Sequence, residues 1–402
     1  MGAYLSNPVR NKVCSDGCND LVAFGSCSMQ GWRKDMEDSH FEFLDFTESR
    51  SDCLFGMFDG HGGSSVAKYC HVHFPAILKE DSDFLAGNVV EGLRKTYLKM
   101  DHLLLNDPQI IPKLKQYLKE SRGGGETPPP LRNPPRQHSH PAFNSGCTAL
   151  VVYIDEKSSK AYIANSGDSR AVLCRNGDAV ELSTDHKVTL QSEADRIAAA
   201  GGVVLNGRVN GSLNLTRAIG DLAFKGDPSL SPEDQVITAN PDVTVIDINT
   251  DTDDFIVIAC DGLWEVMKSQ EVVDYILHSL QGIRGGSSPI GGDVPSAPSS
   301  PTSSSSIMPT SLSELIGNIL DVACSEDVGK TEGVGGDNLS CILIDLRPGK
   351  PLVNLERVSR SGDPFLKKPS GYKAFDFKSV SSSASSDGLD EMEWECRIEK
   401  LE

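Results

Sequence analysis

Four short acidic clusters hold the residues best suited to chemistry: Arg33-Lys34-Asp35-Met36-Glu37-Asp38, Phe58-Asp59-Gly60-His61-Gly62-Gly63, Ala259-Cys260-Asp261-Gly262 and Gly335-Gly336-Asp337-Asn338. Three of them follow apolar runs that read as buried strands. A carboxylate at the end of a buried strand loses hydration, at a cost in free energy unless positive charge compensates it. Several such groups converging on one place repel one another, and a divalent cation is the natural counter-charge. Ligand sets made only of oxygen favour hard cations such as Mg²⁺ or Mn²⁺ over Zn²⁺.

Asp59 and Asp261 are the strongest candidate ligands. Each ends an apolar run, and each precedes a glycine that lets the backbone turn sharply and brings its carbonyl near the ion. Asp337 and Glu37 can complete the shell. A water between two ions would have a lowered pKa and supply hydroxide at neutral pH. An Asp-Gly turn after a strand is common by itself; the weight of the reading comes from four clusters together. Arg33 has forked donors that suit a phosphate or the charge of an anionic metal cluster. His61, two residues beyond Asp59, is placed to protonate a leaving oxygen, the alternative being a turn histidine bonded to backbone. Gly60-His61-Gly62-Gly63 is not a nucleotide P-loop, since no Gly-Lys-Ser/Thr follows. His138 and His140, amid Pro and Ser, read as solvated side chains rather than a metal pair.

The elements that must position these groups follow from apolar patterning. Strands are expected at Leu21–Met29, Ser39–Phe46, Cys53–Phe58, Cys147–Ile154, Ala161–Asn165, Ala171–Cys174, Ala179–Leu182, Val243–Ile248, Phe255–Cys260 and Leu339–Leu346. Helices are expected from Ser64 to about Leu78, Leu85 to about Leu105, Ser192–Ala200, Gln270–Leu280 and Leu312–Cys324. Strand runs interrupted by helix pairs favour an α+β sandwich over alternating β-α units. Gly- and Pro-rich sequence marks 107–144 as an irregular insertion, Ser/Pro/Gly sequence marks 282–309 as another, and 347–402 reads as an acidic tail without packed structure.

The net charge of −19 over 402 residues argues against binding nucleic acid through its phosphates. No apolar run reaches the length of a membrane span. The eleven cysteines include no CxxC pair and read as reduced thiols of an intracellular protein. Residues 1–21 read as an N-terminal extension. Its start, Met1-Gly2-Ala3-Tyr4-Leu5-Ser6, fits N-myristoylation, which would give weak, reversible membrane attachment; Cys14 and Cys18 could in principle carry a second lipid but are expected as reduced, unmodified thiols. Nothing in the sequence demands an oligomer, so a monomer is expected.

Nine blocks then resemble one family in its own order. They are Gln30-Gly31-Trp32-Arg33 with Met36-Glu37-Asp38-Ser39-His40, Phe58 to Gly63, Ser145-Gly146-Cys147-Thr148-Ala149, Asn165-Ser166-Gly167-Asp168-Ser169-Arg170, Asp185-His186-Lys187, Arg208 to Leu213, Thr216-Arg217-Ala218-Ile219-Gly220-Asp221, Ala259 to Trp264, and Gly336 to Ser340. Together, over about 22–346, they resemble the metal-dependent protein phosphatases of type 2C. The resemblance implies a four-layer αββα sandwich, two antiparallel sheets flanked by helix pairs, with two Mg²⁺ or Mn²⁺ ions at one end. It implies that Asp59 bridges both ions, that the Gly60 carbonyl binds one, and that Glu37, Asp261 and Asp337 hold the other. It further implies that Arg33 grips the phosphoryl oxygens, that His61 is the general acid, and that Asp38 orients the attacking water. The substrates implied are phosphoserine and phosphothreonine in proteins, hydrolysed by metal-bound hydroxide without a phosphoenzyme in the cytoplasm or nucleus. The family's third, weaker site uses Asp168, Asp261 and an aspartate whose place Glu265 takes here, which leaves that site open. A catalytically weak relative serving as a phosphoprotein-binding scaffold is the alternative, disfavoured because all four core carboxylates are present.

Overall fold

In Asp52–Phe58 every residue is buried, so alternate side chains must face two apolar layers rather than core and water. Cys53, Phe55 and Met57 enter one layer; Leu54 and Phe58 enter the other. Asp253–Ala259 divides in the same way, with Ile256 and Ile258 meeting Phe55 and Met57, and with Phe255, Val257 and Ala259 on the opposite face. Two such strands in different sheets require a sandwich covered on both outer faces.

The computed structural model describes residues 4–47, 52–121, 140–284 and 311–349. The strands longer than two residues are β1 (Val9–Cys18), β2 (Ala23–Gly31), β3 (Ser39–Phe43), β4 (Asp52–Phe58), β5 (Ala149–Asp155), β6 (Lys160–Ser166), β7 (Arg170–Arg175), β8 (Asp178–Glu181), β9 (Asp242–Asp247), β10 (Asp253–Ala259) and β11 (Leu339–Asp345). A six-stranded sheet has the order β1-β2-β11-β10-β7-β8, and a five-stranded sheet the order β9-β6-β5-β4-β3. Neighbours in both are antiparallel. Helices α1 (Ser65–Lys79), α2 (Ser82–Leu85), α3 (Val89–Asn106) and α4 (Ile110–Ser121) cover the five-stranded sheet. Among the later helices, α5 (Gln191–Ala199), α6 (Asp261–Trp264), α7 (Ser269–Arg284) and α8 (Leu312–Ala323), the last two cover the six-stranded sheet. In α8 the stripe Leu315, Ile316, Ile319, Leu320 and Ala323 is buried, and the Ser311 side chain caps the helix by accepting from Glu314 N. The α+β sandwich expected from the sequence is the fold observed.

Three features differ from the sequence reading. Residues 9–18, assigned to an extension, form β1 at the edge of the six-stranded sheet. Its inward face lacks an apolar stripe because Arg10 and Lys12 lie there, reaching Asp321 of α8 with their charged ends, Lys12 Nζ at 2.6 Å. Cys14 and Cys27 stand directly opposite across β1 and β2 and are joined by a disulfide, so the thiols are not all reduced. Within the expected irregular insertion, α4 forms because Ile110 and Leu114, one turn apart, are both buried against α1 and α3. His140 caps the short turn after that segment, its Nδ1 accepting from Ala142 N and its Nε2 facing Leu104 O at 2.9 Å, which makes it a structural group. His138, the Gly2 acylation motif, the Ser/Pro stretch from 285 and the tail from 350 lie outside the described residues.

Candidate metal centre

Strands β2, β4, β6 and β10 run toward the same end of the sandwich, and β3, β7 and β11 start from it. All four acidic clusters therefore fall on connections at that end. The 31–38 connection is held by Asn338, whose Nδ2 donates to Gln30 O at 2.8 Å and Asp35 O at 3.1 Å while its Oδ1 accepts from Glu37 N at 2.9 Å. Gln30 closes the same turn by donating to Arg33 O and Lys34 O. Gly31, at φ +65, puts its Cα where a Cβ would lie 2.4 Å from Asp337 O, so this crossing requires glycine. Asp59 is fixed by Thr148, which accepts from Asp59 N at 3.1 Å and donates its own N–H to Asp59 O at 2.9 Å.

The arrangement concentrates negative charge. Partial burial, then the charges of Asp38, Asp261, Asp337 and Asp168, push the Asp59 carboxyl well above the usual range. Asp261 is pushed up in the same way by burial, Asp168, Asp337 and Glu265, and lies within hydrogen-bond reach of Asp59. Asp38 is raised to about 6 by burial, against the hydrogen bond it accepts from Ser340 Oγ at 2.7 Å. Glu37 rises through burial, opposed by His61 and Arg33, and accepts from the Gly63 N–H.

Cations line the rim. Arg33 forms an ion pair with Asp337, and Lys187 Nζ stands 3.3 Å from Asp168 Oδ2. Glu265 is within electrostatic reach of Asp168, Asp337 and Lys187. His61 Nε2 lies 2.7 Å from Asp221 Oδ2. Burial opposes the imidazolium, but Asp221, Glu37 and Asp168 outweigh it and raise the His61 pKa. Asp221 is buried at φ +47, held by its N–H to Ser145 O at 3.0 Å, and Gly146 supplies the space beside its carboxylate.

The site fits a hard cation on its own chemistry. One ligand atom from each of Asp38, Asp59 and Cys260 lies within 4.8 Å of the others, and Asp38 Oδ1 is buried without a hydrogen-bond partner among the described residues. Cys260 is the member of that group least suited to ligation: burial, then Asp38 and Asp59, hold its thiol well above the ordinary range, and it bonds locally to Asn338 O and Ser340 N. The oxygens are the donors suited to a hard cation. Of the residues singled out from sequence, Asp38, Asp59, Asp168, Asp261 and Asp337 share one electrostatic centre, Gly60 follows Asp59 with its Cα against Glu37 O, and Glu37, Arg33 and His61 border it. Asp221 and Lys187 were present in the motif blocks without a role, because their partners lie 160 and 19 residues away.

Comparison with known proteins agrees. The family described as Protein phosphatase 2C matches residues 22–284. "Probable protein phosphatase 2C 21" of Arabidopsis thaliana is 37% identical over 367 residues, 87% of this chain and 94% of that protein. "Protein phosphatase 2C homolog 2" of Saccharomyces cerevisiae is 38% identical over 349 residues, 86% of this chain and 63% of that one. A crystal structure of a phosphatase from Toxoplasma gondii superposes with TM-score 0.58 at 22% identity, covering 83% of this chain and 95% of that one, and so shares the fold. The chain belongs to the protein phosphatase 2C family and is a metal-dependent serine/threonine protein phosphatase.

Proposed function

We propose that Glu37, Asp59, Asp261 and Asp337, with the Gly60 carbonyl, would hold two Mg²⁺ or Mn²⁺ ions in this cleft, for direct hydrolysis of phosphoserine and phosphothreonine. The observation that carries the reading is the gathering of Asp38, Asp59, Asp168, Asp261 and Asp337 at one end of the sandwich. Bound there, the ions supply Lewis acidity, lowering the pKa of water and offsetting phosphoryl charge.

The chain's own groups do the rest. Asp38 Oδ1, buried and unpartnered, accepts a hydrogen bond from the attacking water and sets its orientation. Arg33 turns its fork from Asp337 to the phosphoryl oxygens; its side chain is 43% exposed, enough to make that reach. His61 donates the proton to the departing serine or threonine oxygen, with Asp221 orienting the ring and favouring its charged form. Attack by water without a phosphoenzyme is supported by Cys260, the thiol nearest the centre, which is held protonated and so is a poor nucleophile. Asp168 with Glu265 would take a third ion only by giving up Lys187.

The test is release of phosphate from a phosphothreonine peptide with Mn²⁺ or Mg²⁺ and after chelation. Turnover is expected only with metal, restored by adding it back; turnover that survives chelation would overturn the assignment. We also carry a single chain as the active unit, to be checked by light scattering, and cytoplasmic and nuclear residence with an acyl group on Gly2, to be checked by imaging and intact mass. No helix among the described residues is long and apolar enough to cross a membrane.

A further inference from the structure

The N-terminal segment before β1 is tied to the connection that carries Arg33. Leu5 N–H donates to Trp32 O at 2.9 Å, which ties the segment to the residue preceding Arg33. Tyr4, just before it, is half-buried against the core beneath α7 and α8. Its ring fills the space over two glycines of the turn that leads to Asp337. A Cβ on Gly333 would lie 3.2 Å from the Tyr4 hydroxyl, and one on Gly336 would lie 3.0 Å from its Cε1. The hydroxyl is also within electrostatic reach of the Arg33 guanidinium.

Tyr4-Leu5 thus meets two segments: Leu5 N–H holds Trp32, which precedes the arginine, and the Tyr4 ring covers 333–336, which leads to its acidic partner. Gly333, Gly335 and Gly336 supply no side chains of their own, so that turn is held by its neighbours, Val328 and Tyr4 among them. Its ties are Gly336 N to Gly333 O at 3.1 Å, Ser325 N to Gly335 O at 2.9 Å and Thr331 Oγ1 to Val334 O at 2.6 Å. Trp32 reaches the same region from the other side, donating Nε1–H to Ser325 O at 2.8 Å. Arg33 therefore stands on a platform completed by a residue near the start of the chain.

We propose that Tyr4 is a positioning residue for Arg33, its ring set on the 333–336 turn and its neighbour Leu5 bonded to Trp32, so that the guanidinium can exchange Asp337 for a phosphoryl group without the platform shifting. This rests on the reading of Arg33 as the phosphate-gripping residue. Tyr4 touches no reacting atom; it acts by keeping the distance between Arg33 and the acidic centre fixed.

The test combines Tyr4→Ala, Tyr4→Phe, Arg33→Ala and the Tyr4→Ala/Arg33→Ala double variant, in the full chain with Mn²⁺. The readouts are kcat and KM for an aryl phosphate and inhibition by inorganic phosphate. Tyr4→Ala is expected to raise KM and weaken phosphate inhibition by about three- to ten-fold with kcat within about two-fold, a loss of ground-state grip. Tyr4→Phe keeps the ring and should stay within about two-fold of the parent on every readout. In the Arg33→Ala background, Tyr4→Ala should change neither quantity. If Tyr4→Ala unfolds the chain, Tyr4→Leu, which retains apolar contact but not the ring's reach, takes its place with the same expectation. Should Tyr4→Ala act equally with and without Arg33, or leave phosphate inhibition intact while Arg33→Ala weakens it, the Tyr4 proposal falls and the Arg33 reading stands. Should Arg33→Ala itself leave phosphate inhibition unchanged, both fall.

Discussion

Two groups of desolvated carboxylates, one buried and one partly buried, meet opposite fates in this protein. Glu193 on α5 is 1% exposed, yet Arg196 and Arg217 each approach it at 2.7 Å and Thr216 Oγ1 donates to it at 2.6 Å. Burial would push its pKa up, but the bonds from Arg217 and Thr216 and the charges of both arginines bring it down to about 2. Asp59 and Asp261 face other acids instead, and burial and repulsion together drive them up. Arg33 and Lys187 stand only at the rim, on Asp337 and Asp168. The fold neutralises Glu193 with its own side chains, whereas Asp59 and Asp261 have no ion pair among the described residues, the counter-charge that the proposed ions would supply. Burial of an acid does not mark a metal site; burial without internal compensation does.

The sharpest way to break this contrast is to neutralise one acid of each kind. Asp59→Asn should lower kcat by more than about a thousand-fold, as loss of a charge-stabilising group does, while thermal melting under chelation shows no loss of stability. Glu193→Gln should do the reverse. It leaves the half-buried Arg196 without its anion and Arg217 with Asp242 alone, and should cost about 3 kcal/mol of folding stability in urea titration, with KM for an aryl phosphate unchanged below the melting range. A stable Glu193→Gln, or an active Asp59→Asn, would erase the distinction.

His61→Ala should slow release of a high-pKa alkoxide by about a hundred-fold or more, and affect an aryl leaving group little. Equal losses on a phosphothreonine peptide and an aryl phosphate would remove its acid role. The mildest test is acid. The folded pKa of Glu193, about 2, lies below the unfolded value of about 4.3. Its contribution is therefore complete above the unfolded value and is lost as pH falls through the window between the two. The melting temperature of the parent should fall over that window more steeply than that of Glu193→Gln; parallel curves would deny the linkage.

The same contrast explains what the sequence could and could not disclose. Asp59, Asp261 and Asp337 were legible because each flanks an apolar run with a glycine beside it, and strand direction then fixes where they end. The layers were legible from runs such as Phe255–Ala259, buried on both faces. Glu193 gave no such signal, for its partners at Arg217 and Thr216 come from a loop brought alongside only by folding. Asp221 was hidden likewise, 160 residues from His61. β1 escaped notice because Arg10 and Lys12 replace the apolar alternation of an ordinary strand and are matched by Asp321 on α8. The pairing of Cys14 with Cys27 depends on strand register, which spacing alone does not give. α4 was obscured by the Gly- and Pro-rich sequence that follows it, although Ile110 and Leu114 have helical spacing.

The most direct test of an externally neutralised acidic centre is anomalous diffraction from crystals grown with Mn²⁺. Peaks are expected between the carboxylates of Asp59, Asp261 and Asp337, with Asp38 beside them, and none near Glu193. Peaks confined to other surfaces, with Asp59 and Asp261 still facing each other unoccupied, would contradict the account.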